Sequence, residues 1–330
     1  MSPKEQTSKK APRVIDIYSH HLPHSIGPWM AKEKYYGANK QLPYPPQNAD
    51  PEIRLGLMDK YGVQIQALSQ TTPVLLGFNA EDAAEICKLS NDANYALCKA
   101  YPDRFVNICI VSLLDVKSAL KELDRSIHEL DCRGVTISTN QKGKGIDSPD
   151  FFPFYEKVVE HDLPVLLHPT HWDDYPLVDM DKGWRMMHLF GWPFDSTQAV
   201  WRLIFGGVLD RYPSLKIVMH HLGALIPFFS RRIETNVNGF LKDKLRRPLS
   251  EYWKNLYGDT ATDGTTASYP CGYSFFGADR MVFGSDYPFG PEAGEDFIRS
   301  NLEGVKGMKI PAADKKKILA GNAQKLLKIT

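Results

Sequence analysis

The stretch IDIYSHHLP, residues 15–23, decides how the rest of the chain is read. A run of alternating apolar residues stops at two histidines and a proline. Alternate side chains of a strand share a face. Asp16, Tyr18 and His20 therefore point one way, and Ile15, Ile17 and Ser19 the other. The apolar set suits packing against helices. A polar row at the end of a buried strand suits the lining of a site.

Working outward, short β-like runs recur with helical stretches between them. RVIDIYSH is followed by VQIQALSQ, FVNICIVSL, CRGVTIST, LPVLLHPT, LKIVMHHLG, NLYGDTAT and RMVFGSDYPF. Segments such as AEDAAEICKLSNDANYALCKAYP and VKSALKELDRSIHELD carry apolar residues at three- and four-residue spacing. The runs are too apolar for a one-sided sheet and suit parallel strands covered by helices. Eight strand–helix units predict an α/β fold, a (β/α)8 TIM barrel with long insertions over its C-terminal mouth. A doubly wound open sheet competes, but no glycine-rich turn follows the first strand. Two connections are long, proline- and aromatic-rich: residues 24–50 and the segment after His168. Within the second, DSTQAVWRLIFGGVLDRYP reads as a helix capped by Asp195 or Ser196. Residues 13–330 read as one domain behind a disordered polar tail, residues 1–12.

The 330 residues carry a formal net charge of +1, which argues against nucleic acid or an anionic membrane as partner. No apolar run is long enough to span a bilayer, and the polar start is no secretory signal. The five cysteines, Cys87, Cys98, Cys109, Cys132 and Cys271, form no CxxC pair and read as reduced residues of a cytoplasmic protein.

Reacting groups of such a barrel come from the C-terminal ends of several strands. Here those ends offer Tyr18, His20 and His21, then His168, then His220 and His221, then Asp259, then Asp286. Histidines and carboxylates converging on one mouth suit a divalent metal, zinc first and manganese or iron next. Singly, each has a plainer reading. His21, His24, His161 and His188 read as hydrogen-bonding loop residues, Asp259 as a helix cap and Asp286 as a turn residue. Their joint occurrence at successive strand ends favours the metal.

The stretches IDIYSHHLP, LPVLLHPT, GWPFDSTQAVWRLIFGGVLDRYPSLKIVMHHLGALIPF and VFGSDYPF together resemble the decarboxylase-type branch of the amidohydrolase superfamily, the group around aminocarboxymuconate semialdehyde decarboxylase and γ-resorcylate decarboxylase. The resemblance runs from Val14 to the final ILAGNAQKLL. It implies a barrel with one metal ion, held by His20, His168 and Asp286, and a His221 that acts on water or substrate. The chain departs from the pattern at its opening: Tyr18-Ser19-His20 stands where the family carries His-x-His or Glu-x-His. A neutral phenol, with a pKa near 10, is a poor ligand but a competent hydrogen-bond donor.

The reaction so implied is non-oxidative decarboxylation of an aromatic or unsaturated carboxylic acid. Asp286 would protonate the carbon that loses CO2, His221 would manage protons, and Tyr18 would contact the substrate. Arg231, Arg232, His171 and Trp172 are the candidate substrate contacts, and His220, on the strand face opposite His221, is expected to tolerate change. The same ligands would serve a hydrolase or hydratase acting on a lactone, amide, C–C bond or alkene. A third reading is a metal-free barrel that only binds. WRLIFGGVL and the Trp-rich loop suggest apolar surface for a homodimer or larger assembly.

Overall fold

The computed structural model describes residues 13–30, 46–170 and 186–329. Each apolar run of the sequence forms a strand. β1 (Ile15–His20), β2 (Ile65–Ser69) and β3 (Phe105–Asn107) pair in parallel. β4 (Cys109–Ile110) and β5 (Val135–Ser138) come next, and β6 (Asn140–Gln141) with β7 (Lys144–Gly145) makes a small antiparallel hairpin. β8 (Pro164–His168), β9 (Lys216–Met219), β10 (Leu256–Asp259) and β11 (Met281–Val282) complete a parallel sheet ordered β4-β5-β8-β9-β10-β11.

Backbone hydrogen bonds join the two sheets into a ring. β3 and β4 are halves of one strand broken at Ile108, whose N–H donates to Leu68 O at 3.1 Å while that of Cys109 turns to Gly134 O at 3.0 Å. At the other seam Ile17 N–H reaches Phe283 O and Asp286 N–H reaches Tyr18 O, both at 2.9 Å. First and last strands therefore bond each other, which an open doubly wound sheet does not do. The fold is the expected (β/α)8 barrel.

Alternation along the strands sorts the core. Ile15, Ile17, Ile65, Ala67, Ile108, Leu166, Val218 and Val282 fill an inner cluster. Their neighbours Val135, Ile137, Val165, Leu167, Ile217 and Met219 pack outward against helix residues such as Leu123, Phe154, Val158 and Leu203. Burying one such aliphatic side chain contributes about 1.5–3 kcal/mol. Three of the helices start where a side chain satisfies a free N–H group. Asp50, Asn79 and Asp115 cap Pro51–Tyr61, Ala80–Ala100 and Val116–Glu129.

Two expectations fail here. Helix Trp192–Phe205 follows directly from a π-turn, Met187–Gly191, so Asp195 and Ser196 lie inside its first turns and cap nothing. WRLIFGGVL is not surface either: Leu203, Ile204, Val208 and Leu209 are core, because this helix turns its apolar stripe onto the barrel. Exposed apolar side chains lie instead at Leu189, Phe190, Phe228 and Phe240. Among the described residues no helix is long and apolar enough to cross a membrane.

Candidate active site

The strand that opens the chain does not alternate as expected. Asp16 pairs with Gln66, but Ser19 already pairs with Leu68, so β1 spends one residue more than β2 over that interval. This is a β-bulge, and it shifts the side-chain parity. Tyr18 consequently joins Ile15 and Ile17 in the inner cluster, while Asp16 leaves the row. Asp16 instead accepts from Gln66 Nε2 at 2.9 Å and from the Ser285 N–H at 2.9 Å and hydroxyl at 2.5 Å. Behind it lies Arg54, buried, donating to Gln66 Oε1 at 3.0 Å, to Ser19 Oγ at 3.4 Å and to the His20 carbonyl. Its guanidinium sits 4.6 Å from the Tyr287 ring centre. Arg54 and Asp16 thus brace the backbone on both sides of the mouth, at His20 and next to Asp286.

Past the bulge the mouth holds the groups that the strand ends promised. His20 Nε2 lies 3.0 Å from Asp286 Oδ1, and His221 Nε2 lies 4.0 Å from Asp286 Oδ2. Tyr18 also acts on Asp286, lowering its carboxyl against the effect of burial. The His168 ring centre is 5.2 Å from that of His20. His168 Nδ1 donates to the Pro169 carbonyl at 2.8 Å, which leaves its Nε2 lone pair open. The loop beyond it is pinned by Asp195, which accepts from the Thr170 N–H at 2.8 Å and from the Thr139 hydroxyl.

His220 is not on a face of its own. It continues the parity of inward-facing Val218, lies flat on Tyr18 with ring centres 3.5 Å apart, and bonds Asp259 Oδ2 through Nδ1 at 2.6 Å. His221 would then point away, but its backbone is left-handed (φ 55°, ψ 46°), which swings its side chain back to the mouth. Asp286 is left-handed too, at φ 64°. Such backbone costs about 1–3 kcal/mol per non-glycine residue and clusters at functional sites. Gly284 permits the close packing beneath: a Cβ there would stand 2.9 Å from Tyr18 Cβ and 3.1 Å from Asp259 Cβ.

Burial sets the protonation of the cluster. It lowers His20 to about 3, with Arg54 adding to the effect, and holds His168 and His220 well below the usual imidazole value. His221 is lowered by burial as well, against the pull of Asp286 and Asp259. Burial raises Asp286 to about 7, opposed by His221, and Asp259 to about 6. The imidazoles are neutral at pH 7 and available as donors of a lone pair.

That donor set suits a divalent ion. Two ligands of one ion, each about 2.1 Å from it, stand about 3.0–3.4 Å apart, and His20 Nε2 with Asp286 Oδ1 meets this spacing without a hydrogen bond. His220 Nε2 and His221 Nδ1 are likewise buried with no hydrogen-bond partner. Among the described residues no three His, Cys, Asp or Glu side chains stand close enough together to hold a metal ion as they are placed. The pair spacing and the open buried nitrogens are the features that fit.

Other expected residues stand elsewhere. Arg231 and Arg232 lie on exposed turns of helix Ile226–Asn236, the Arg231 side chain 89% exposed and 3.9 Å from Glu234. Helical periodicity after Pro227 directs both to water and keeps them out of the cluster. His171 and Trp172 lie outside the described residues. His21 turns to Asn94, its Nδ1 2.7 Å from Oδ1. Sequence reasoning overlooked Arg54 entirely. Its one signal is an arginine among the otherwise apolar positions that helix Pro51–Tyr61 buries, Met58 being the other buried residue.

The model of the amidohydrolase family matches residues 18–329. The chain is 30% identical over 284 residues to 2-amino-3-carboxymuconate-6-semialdehyde decarboxylase of Dictyostelium discoideum, covering 84% of this chain and 76% of that protein. It is 27% identical over 298 residues to gamma-resorcylate decarboxylase of a Rhizobium species, covering 84% and 87%. Among solved structures it shares the fold of 5-carboxyvanillate decarboxylase from Sphingomonas paucimobilis, with a TM-score of 0.85 at 22% identity over 97% of this chain and 100% of that one. The 5-carboxyvanillate decarboxylase of Novosphingobium aromaticivorans, solved with manganese and 4-hydroxy-3-methoxy-5-nitrobenzoic acid, also has a TM-score of 0.85, at 23% identity over 97% of each chain.

Proposed function

The chain belongs to the amidohydrolase family, and on that footing we propose that it is a metal-dependent, non-oxidative decarboxylase of an aromatic or unsaturated carboxylic acid. The observation that carries the proposal is Asp286, set between His20 at 3.0 Å and His221 at 4.0 Å on the barrel mouth. The relatives named as decarboxylases support it. His20, His168 and Asp286 would hold one ion, zinc first and manganese next. When bound, the ion supplies positive charge that fixes the substrate carboxylate and an adjacent oxygen.

The chain's own groups do the rest. Asp286 is the group placed to deliver a proton to the carbon bearing the carboxylate. The bond to the carboxyl carbon then breaks, its electron pair stays with the substrate, and CO2 leaves. Water returns the proton to Asp286. His221, neutral and 20% exposed, hydrogen-bonds the neighbouring oxygen. His171 and Trp172, which follow His168 in the chain, are the proposed substrate contacts. Phe228 and Phe240, 75% and 82% exposed, support assembly into a homodimer or larger oligomer. Product analysis with candidate acids tests the reaction: CO2 is expected, and addition of water without CO2 would make the protein a hydrolase or hydratase.

A further inference from the structure

His220 has no part in the proposed reaction, yet it is tightly framed. Its side chain is wholly buried, and so is that of Asp259, 2.6 Å from Nδ1. A carboxylate only accepts, so Nδ1 carries the hydrogen and Nε2 presents its lone pair. That Nε2 has no hydrogen-bond partner among the described residues. The Tyr18 ring, 3.5 Å away and tilted by only 13°, fixes the imidazole plane. An oriented, neutral, open imidazole nitrogen with a carboxylate behind it is the arrangement of a metal ligand and its outer partner. The separations from His168 agree. An imidazole on an ion has its ring centre about 3.2 Å from the metal, so two of them span at most about 6.4 Å. His168 stands 5.2 Å from His20 and 6.0 Å from His220.

Tyr18 occupies the position where the resemblance leads one to expect the first strand's other donor, and its ring is stacked on His220. We infer that His220, held by Asp259, supplies the ion with a third imidazole in place of the donor that Tyr18 does not provide. The ligand is moved from β1 to the end of β9. The inference rests on the proposed ion.

The test is zinc K-edge X-ray absorption on the full chain loaded with Zn2+, with competition titration of zinc affinity. Three imidazoles are expected in the wild type and in Tyr18→Phe, and two in His220→Ala. Zinc affinity of His220→Ala should fall by more than the roughly 10–100-fold that loss of an outer partner costs, and that of Asp259→Asn by about this 10–100-fold. Two imidazoles in the wild type, with the affinity of His220→Ala within about threefold of it, would overturn the inference and leave the metal reading standing. The wild-type count decides even if His220→Ala does not fold. A wild type that binds no zinc would overturn the metal reading itself, a different outcome from two imidazoles.

Discussion

Removing one oxygen from Tyr18 separates its possible roles. The side chain is 1% exposed, its ring lies on His220 at 3.5 Å, and it lowers the Asp286 carboxyl against burial. In Tyr18→Phe the ring, its stacking and its buried apolar area all remain. What is lost is the hydroxyl, whose hydrogen bond to the Asp286 carboxylate would be worth about 1.5–3 kcal/mol when the acceptor is charged. If that bond orients Asp286 for proton delivery, the loss appears in the transition state. At about 1.4 kcal/mol per decade, kcat/KM should fall roughly ten- to a hundredfold. Stability should change by less than about 1.5 kcal/mol, because Asp286 is 14% exposed and can turn to water. The assay is kcat/KM, metal content and urea denaturation on the same preparations. Loss of the metal in Tyr18→Phe would show that the phenol oxygen is a ligand and refute the reasoning. Unchanged rate with unchanged metal would reduce Tyr18 to a residue that fills the barrel mouth.

His221→Asn should lose roughly 10²–10⁴ in kcat, the span of an acid–base group, while keeping metal and fold by metal analysis and circular dichroism. Arg54→Ala should destabilise by about 3–5 kcal/mol in urea unfolding, since it leaves the buried acceptors Gln66, Ser19 and the His20 carbonyl without their donor. Gly284→Ala should cost about 1–3 kcal/mol by the same assay, because its Cβ would crowd Tyr18 Cβ at 2.9 Å. The purified chain should carry close to one zinc or manganese, or take it up on addition; less than about a tenth of an equivalent after such addition would count against the site.

The barrel was legible because its strands are apolar on both faces and its helices carry apolar stripes, as in Leu166 between Val165 and Leu167. The strand ends were legible for the same reason, since a histidine or aspartate stands out after such a run. Which face each occupies was not. The bulge in β1 is a matter of hydrogen-bond register, and Asp16 lies away from the mouth, bonded to Gln66 and Ser285. At the sixth strand, simple alternation from Val218 pointed His220 inward, and only the left-handed backbone at His221 brings both histidines to one place. Arg54 was illegible because a charged residue in a helix ordinarily faces water. Its burial depends on Gln66 and Tyr287, which lie on other elements. The roles of His20, His168 and Asp286 came from the family resemblance rather than from the pattern of residues.

The most direct test of the proposed chemistry follows both halves of the substrate. A panel of hydroxybenzoic acids labelled with 13C in the carboxyl group is incubated with the metal-loaded enzyme in D2O. One acid should release 13CO2 in equal amount to an arene that carries a single deuteron at the carbon that bore the carboxyl group. Turnover of a member of this panel, or of an ester, amide or lactone, that adds the elements of water and releases no 13CO2 would contradict the account.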